Sequence, residues 1–237
     1  EINNEINSEL KVMSKLIYDY WFVQFDFPDK NGNPYKSSGG KMVYNEELKR
    51  EIPERWEVRP LGECINLYDS LRVPLAQSER EKITGSIPYY GATGINGYVN
   101  NYLFNDDYIL LAEDGSVMDD NGMPIVQFIW GKTWVNNHAH VIQALNKLHN
   151  EFIYQLVKMI PVTNIKTGSI QIKITQENLK NYKVLIPSLD LVEEYSIKAA
   201  SIRKQLINNI EQNQQLSDLR DWLLPMLMNG QVTVKDL

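Results

Sequence analysis

The chain of 237 residues has a single cysteine, Cys64. One thiol excludes a disulfide framework and a multi-cysteine zinc site, and it fits a reducing cytoplasm. With no basic neighbour to activate it, Cys64 reads as a packing residue. No run approaches the roughly 18 apolar residues of a membrane-spanning helix. No secretory signal is visible, and the chain starts at Glu1 rather than Met, so an upstream segment is expected. Catalytic signatures are missing as well. There is no GxSxG, HExxH, GxxxxGKS or dinucleotide-binding glycine loop, and no Asn/Asp-Pro-Pro-aromatic run. Positive charge is short: Lys and Arg number 24 against 30 Asp and Glu, a net charge of −6. That balance argues against a protein that coats nucleic acid through bulk charge.

What is there is an ordinary globular composition, 43% apolar and 23% charged. The charge is unevenly spread. Residues 158–186 carry Lys158, Lys166, Lys173, Lys180 and Lys183 against the single acid Glu177. A solvated lysine face and a binding face both fit such a stretch.

Residues 1–22 read as a helix, with Ile2, Ile6, Leu10, Met13, Ile17 and Tyr20 on one apolar stripe. A turn-rich connector follows from Phe25 to Gly40. From about residue 56 to 186, strand-like runs such as Tyr108–Ala112, Ile125–Trp130 and His140–Ile142 alternate with turns at Gly91–Gly94, Asn96-Gly97, Asp114-Gly115 and Asn121-Gly122. Helices are expected at Asn150–Met159 and at Gln176–Tyr182, the latter capped by Thr175. The fold class is α+β: one mixed α/β domain with a mixed or antiparallel sheet, flanked by long coiled-coil-type helices. Residues Leu191–Leu224 contain neither Gly nor Pro and read as one long helix, started by Ser188 or Asp190 and closed by Pro225 and Gly230. Val192, Tyr195, Ala199, Ile202, Leu206, Ile210, Leu216, Leu219 and Leu223 form its seam, which needs a partner helix. The two helical ends echo each other, Asn7-Ser8-Glu9-Leu10 against Asn213-Gln214-Gln215-Leu216, as in one period of a two-part molecule.

Four motifs carry candidate chemistry. Thr167-Gly168-Ser169-Ile170-Gln171-Ile172-Lys173 lies in the basic stretch. Gly168 permits close backbone approach. Thr167 and Ser169 can bond phosphate or base edges, and Gln171 can pair bidentately with adenine. Lys166 and Lys173 would meet phosphate. A polar hairpin turn fits the same residues. The loop Tyr89-Tyr90-Gly91-Ala92-Thr93-Gly94-Ile95-Asn96-Gly97 lacks the Lys-Ser/Thr of a P-loop. Tyr89, Tyr90, Thr93 and Asn96 are candidates for DNA contact there, with a core role for the tyrosines as the alternative. His138 and His140 sit two apart and would share one face of a strand. With no Cys or carboxylate at ligand spacing beside them, a metal site is disfavoured, and His138 is expected to meet a backbone group. Asp106-Asp107 and Asp119-Asp120 read as solvated loop acids rather than acid–base pairs.

Taken in order, these residues resemble one family. Tyr18–Pro28 and Tyr35–Met42 look like the central linker of the specificity (S) subunits of type I restriction–modification enzymes. Ile52-Pro53-x-x-Trp56 with Leu61-Gly62-Glu63 is similar to the opening of their target recognition domains. Ile87–Gly94, Ala112–Gly115 and Val135–His140 resemble runs inside those domains. Thr167–Gln171 with Ile186-Pro187 resembles their closing segment, and Trp222–Val232 their C-terminal helix end. The resemblance implies a non-catalytic subunit in which each recognition domain reads one half of a split double-stranded DNA target. The helices would set the spacing and dock methyltransferase (M) subunits, alongside restriction (R) subunits, in the cytoplasm. Leu10, Met13, Ile17, Ile202, Leu206, Ile210, Leu216, Leu219 and Leu223 are the residues expected to pair helices or dock partners. S-adenosylmethionine and ATP are expected in the partner subunits, with no cofactor or metal in this chain. The implied organisation is the end of a spacer helix (1–24), a linker (25–52), one recognition domain (53–187), a long spacer helix (188–225) and a tail (226–237). With one such domain, the chain looks like the C-terminal half of an S subunit or a half-length form, which could pair with a copy of itself. A coiled-coil scaffold or inhibitor that binds only protein is the alternative, and an enzyme acting alone the third.

Overall fold

The computed structural model describes residues 1–169 and 171–232. Ile170 and the tail residues 233–237 lie outside it.

The chain opens with helix α1 (Ile2–Tyr18), extended by one wide π turn over Asp19–Val23. It closes with α5 (Leu189–Met228), 40 residues or about 60 Å long. The two run antiparallel, since rising positions on α1 meet falling ones on α5: Asn3 bonds Asn213, and Asn7 bonds Asn209. The face α1 turns to α5 is not the apolar stripe read from the sequence. Asn7, Ser14 and Tyr18 are the buried residues of α1, while Ile2, Ile6 and Met13 are exposed. The buried Asn7–Asn209 pair, at 2.9 Å, satisfies each amide with the other, so a polar seam packs where an apolar one was expected. Leu10 and Ile17 are half-buried beside that seam. On α5, Ile202, Leu206 and Leu223 are half-buried, whereas Ile210, Leu216 and Leu219 are exposed.

Pro225 lies inside α5 and does not end it. Close to the C-terminus, a proline removes a single intrahelical bond. The stop is Gly230, at φ +67°, where the Gly230 and Gln231 N–H groups bond back to the Leu227 and Met226 carbonyls.

Between the helices, β1 (Met42–Asn45) and β2 (Arg50–Pro53) form a hairpin. The domain that follows is closed by its own ends: β3 (Glu57–Pro60) pairs antiparallel with β14 (Lys183–Ile186). Its central sheet has the order β4 (Ile65–Leu67), β11 (Ala139–Ala144), β8 (Tyr108–Ala112), β9 (Val126–Ile129), all antiparallel. A second sheet has the order β6 (Ile95–Val99), β5 (Ile87–Tyr90), β10 (Lys132–Val135), β7 (Phe104–Asn105), with β5 and β10 parallel. The short helix α2 (Gln77–Arg80) precedes β5, and α3 (Asn150–Lys158) follows β11. The small hairpin of β12 (Lys166–Thr167) and β13 (Lys173–Ile174) leads into α4 (Gln176–Asn181), whose Thr175 side chain caps the Asn178 N–H.

Strand β8 explains why the domain holds together. Its run Ile109–Ala112 is fully buried on both faces. Side chains alternate along a strand. Ile109 and Leu111 therefore join the main core, while Leu110 points to a second core with Phe104, Ile129, Val135 and Val141. The main core continues into the helix pair through rings. Phe22 lies 5.0 Å from both Tyr18 and Tyr195 and 5.1 Å from Phe152. These contacts fix the helices to the domain, each buried aromatic contributing on the order of 1.5–3 kcal/mol.

Candidate nucleic-acid interface

Four loops of the domain are hydrogen-bonded to one another in sequence. The Asn136 N–H donates to the Tyr90 carbonyl at 3.0 Å, tying the 136–138 turn to the glycine-rich loop. The Glu113 N–H donates to the His138 carbonyl at 2.8 Å, and the Ile174 N–H to the Glu113 carbonyl at 2.9 Å. The tips at 91–96, 113–118, 136–138 and the described residues 166–169 and 171–173 thus form one rim, held by backbone bonds.

The hairpin of β12 and β13 is the most exposed member. Lys166, Thr167, Gly168, Ser169, Gln171 and Lys173 are all exposed. Gly168 sits at φ +82°, and a side chain there would collide with the Gln171 carbonyl, so only glycine makes this turn. Thr167 Oγ1 accepts from the Asn178 amide at 2.9 Å, which leaves its own O–H free to donate outward. Lys166 has no acidic partner among the described residues. Lys173 differs: its ammonium lies 3.3 Å from Asp114, so it is already ion-paired rather than waiting for phosphate. Asp114 also receives His138 Nδ1 at 2.5 Å. Burial alone would raise the Asp114 carboxyl; the His138 bond and charge, then Lys173, hold it below the usual range. A cleft lies between Asp114–Met118 and Gln171–Lys173.

On the glycine-rich loop, Thr93 and Asn96 are exposed and Tyr90 is half-buried. The Gln127 amide donates to the Gly91 and Ala92 carbonyls at 3.1 and 3.0 Å and holds the loop on β9. Tyr89 leaves the surface set. It is 1% exposed, its hydroxyl accepts the Leu75 N–H at 3.0 Å, and Arg80 covers its ring. Its register opposite Trp134 on β10 places it in a core with Val99.

The two histidines part company. His138 precedes β11 and is half exposed on Asp114, a carboxylate rather than the backbone group expected. His140 is buried, with Asp69 Oδ2 2.6 Å from Nδ1 and the Ile174 carbonyl 2.7 Å from Nε2. Asp69 also accepts the Val141 N–H at 2.9 Å and the Gln176 amide at 2.5 Å. Burial pushes the Asp69 carboxyl up, but the His140 bond and charge, the Val141 N–H and Arg72 outweigh it and leave it lowered. Ligand-type atoms of Asp69, Glu113 and His140 come within 4.8 Å of one another, carboxylates that sequence spacing could not bring to the histidine. The cation at these acids is Arg72, 2.7 Å from Glu113 and 3.6 Å from Asp69. Of the paired acids, Asp119 closes an Asx turn onto Asn121 and Met123, while Asp107 faces Arg203 at 3.7 Å. Cys64 is buried, and burial pushes its thiol up to about 11.

A second surface lies where α1, α5 and the domain meet. A groove of about 290 Å³ is lined by Val126, Phe128 and Trp130 from the domain and by Ile202, Leu206 and Ile210 from α5. Lys158 stands at this groove with Lys11; burial and then repulsion from Lys11 and Lys15 lower its ammonium.

A family model described as the type I restriction modification DNA specificity domain matches residues 53–219. A Haemophilus influenzae protein assigned as a type I restriction enzyme specificity subunit is 36% identical over 155 residues, covering 65% of this chain and 39% of its own. The MjaIX type I restriction enzyme specificity subunit of Methanocaldococcus jannaschii is 26% identical over 253 aligned positions, covering 98% of this chain and 55% of its own. The chain thus spans about half the length of the curated relatives it matches, or less. The crystal structure of a type I restriction–modification S subunit from M. genitalium has the same fold, with a TM-score of 0.56 at 16% identity, over 94% of this chain and 53% of that one. No helix among the described residues is long and apolar enough to cross a membrane. The matched domain and the fold around it agree: the chain belongs to the type I restriction–modification DNA specificity family.

Proposed function

We propose that the chain reads one half of a split double-stranded DNA target through its loop rim and docks M subunits through its helices. The observation that carries the reading is the hairpin of β12 and β13. Its polar residues Lys166, Thr167, Ser169, Gln171 and Lys173 are exposed, it is turned by a glycine that nothing else can replace, and it is set in the basic part of an acidic chain. Lys166 would anchor a phosphate, and Thr167 and Ser169 would donate to phosphate or base edges. Gln171 would read adenine, a bidentate pair worth about 1–3 kcal/mol of discrimination. Thr93, Asn96 and Tyr90 would extend the contact along the same rim. Lys173 would act through Asp114, shaping the hairpin more than binding phosphate.

The apolar groove of Phe128, Trp130, Ile202 and Leu206 supports docking of an M subunit, with the R subunit joining the complex through it. Methylation and cleavage, with S-adenosylmethionine and ATP, would belong to those partners in the cytoplasm. The net charge of −6 fits such a division, with much of the phosphate neutralisation supplied by partners. A half-length chain could also pair with a copy of itself to present two half-sites.

Selection from a randomised DNA pool by this chain with an M subunit tests the reading. Enrichment of a defined half-site is expected. Capture of the M subunit with no enrichment would instead favour a protein-binding scaffold.

A further inference from the structure

His140 lies at the crossing point of three of the rim loops, and its bonding is unusual for a buried histidine. Both ring nitrogens face oxygen acceptors: the Asp69 carboxylate at 2.6 Å and the Ile174 carbonyl at 2.7 Å. A neutral imidazole carries one N–H, so one of those contacts would set a nitrogen lone pair against an oxygen lone pair. Only the imidazolium donates to both. The charges around it close on that reading. Asp69 and Glu113 are the two acids, Glu113 standing 3.7 Å from the ring, and Arg72 supplies one positive charge. A second positive charge on His140 balances the quartet, whereas a neutral ring would leave a net negative charge in a mostly buried site.

The quartet reaches each loop. His140 holds the Ile174 carbonyl at the base of the hairpin. Glu113 begins the 113–118 loop and accepts the Ile174 N–H at its own carbonyl. Arg72 donates to the carbonyls of Asn137 and Ala139 at 3.4 and 2.7 Å, and Gln176, just beyond the hairpin, donates to Asp69. We infer that His140 is a positioning residue for the hairpin: donating from both ring nitrogens, it locks the base of the hairpin to the central sheet. The inference deepens the DNA-reading proposal and rests on it for its consequence, though not for its chemistry.

The other histidine at the rim is His138. It is half exposed and bonded to Asp114, which also holds Lys173, and it serves as the control. Nitrogen-resolved histidine NMR on the whole chain reads the protonation directly. Two protonated ring nitrogens on His140 are expected, because both face oxygen acceptors. Hydrogen–deuterium exchange over residues 171–174 is expected to lose protection about tenfold or more in His140→Gln. The same variant should discriminate poorly between target and random DNA. His138→Gln should keep the wild-type protection. A bare ring nitrogen on His140 with the hairpin still protected overturns the inference. So does wild-type protection in His140→Gln, or an equal loss of protection in His138→Gln. If His140→Gln does not fold, the wild-type NMR decides alone. If no DNA is discriminated by the wild type, the functional proposal falls while NMR and exchange still judge the lock.

Discussion

Replacing Asn7 by alanine tests whether the helix pair is registered by a polar seam. Asn7 and Asn209 are 6% and 9% exposed and bonded at 2.9 Å. Truncating Asn7 leaves the Asn209 amide buried without a partner, which costs about 1–3 kcal/mol. Alanine's higher helix propensity returns roughly 0.5 kcal/mol, for a net loss of about 0.5–2.5 kcal/mol. For a chain of this size each kcal/mol moves Tm by about 2–4 °C, so a fall of about 1–10 °C is expected by calorimetry. The sharper readout is the double-mutant cycle with Asn209→Ala. Once one amide is gone, removing the other relieves an orphaned group, so the two changes should be non-additive by about 0.5 kcal/mol or more. Asn7→Leu with Asn209→Leu should match or exceed the wild type in stability, since an apolar pair replaces a polar one without orphans. The double leucine variant should also allow the helices to slide, because a single buried Asn pair is what specifies register in such seams. An additive alanine cycle, or a Tm that rises in Asn7→Ala, would refute the reasoning.

Three further outcomes follow from the same structure. Cys64, with its thiol pushed up to about 11 and no exposure, should resist alkylation at about pH 8 in the folded chain and react on unfolding; rapid labelling of native protein would contradict its place in the core. Asp69 is held ionised below its unfolded range, so its stabilisation is present above about pH 4 and lost as pH falls through the lowered value. Asp69→Asn should therefore be less stable at neutral pH and flatter under acid in denaturant titrations. Leu206→Asp places a charge in the groove against Phe128 and Trp130, and should weaken capture of an M subunit at least tenfold while leaving DNA binding by the chain alone unchanged.

Local signals carried much of the fold. α3 and α4 follow from periodicity and from the Thr175 cap, and β8, β9 and β11 from β-branched runs between turns. The errors came where a local rule met a tertiary one. The stripe Ile2, Ile6, Met13 is the more apolar face of α1, yet Asn7 and Ser14 face inward because Asn209 and Gln155 stand opposite with matching amides. Pro225 looked like a stop, but the stop is set by the backbone bonds at Gly230. Tyr89 and Tyr90 are indistinguishable in sequence; the strand alternation that buries one and half-exposes the other appears only with the β5–β10 pairing. The His140 site was half legible. The two histidines stand out in the sequence, but Asp69 is 71 residues away and nothing local announces it.

The central claim is that the hairpin of β12 and β13 reads bases while Lys166 supplies affinity without sequence. Equilibrium binding to the selected half-site and to random DNA, at two salt concentrations, tests it in three proteins: wild type, Gln171→Ala and Lys166→Ala. Gln171→Ala should lose roughly 5–150-fold of the preference for the half-site and keep its affinity for random DNA. Lys166→Ala should weaken both alike and reduce the salt slope by about 0.9. Equal loss on both DNAs for Gln171→Ala would contradict the account.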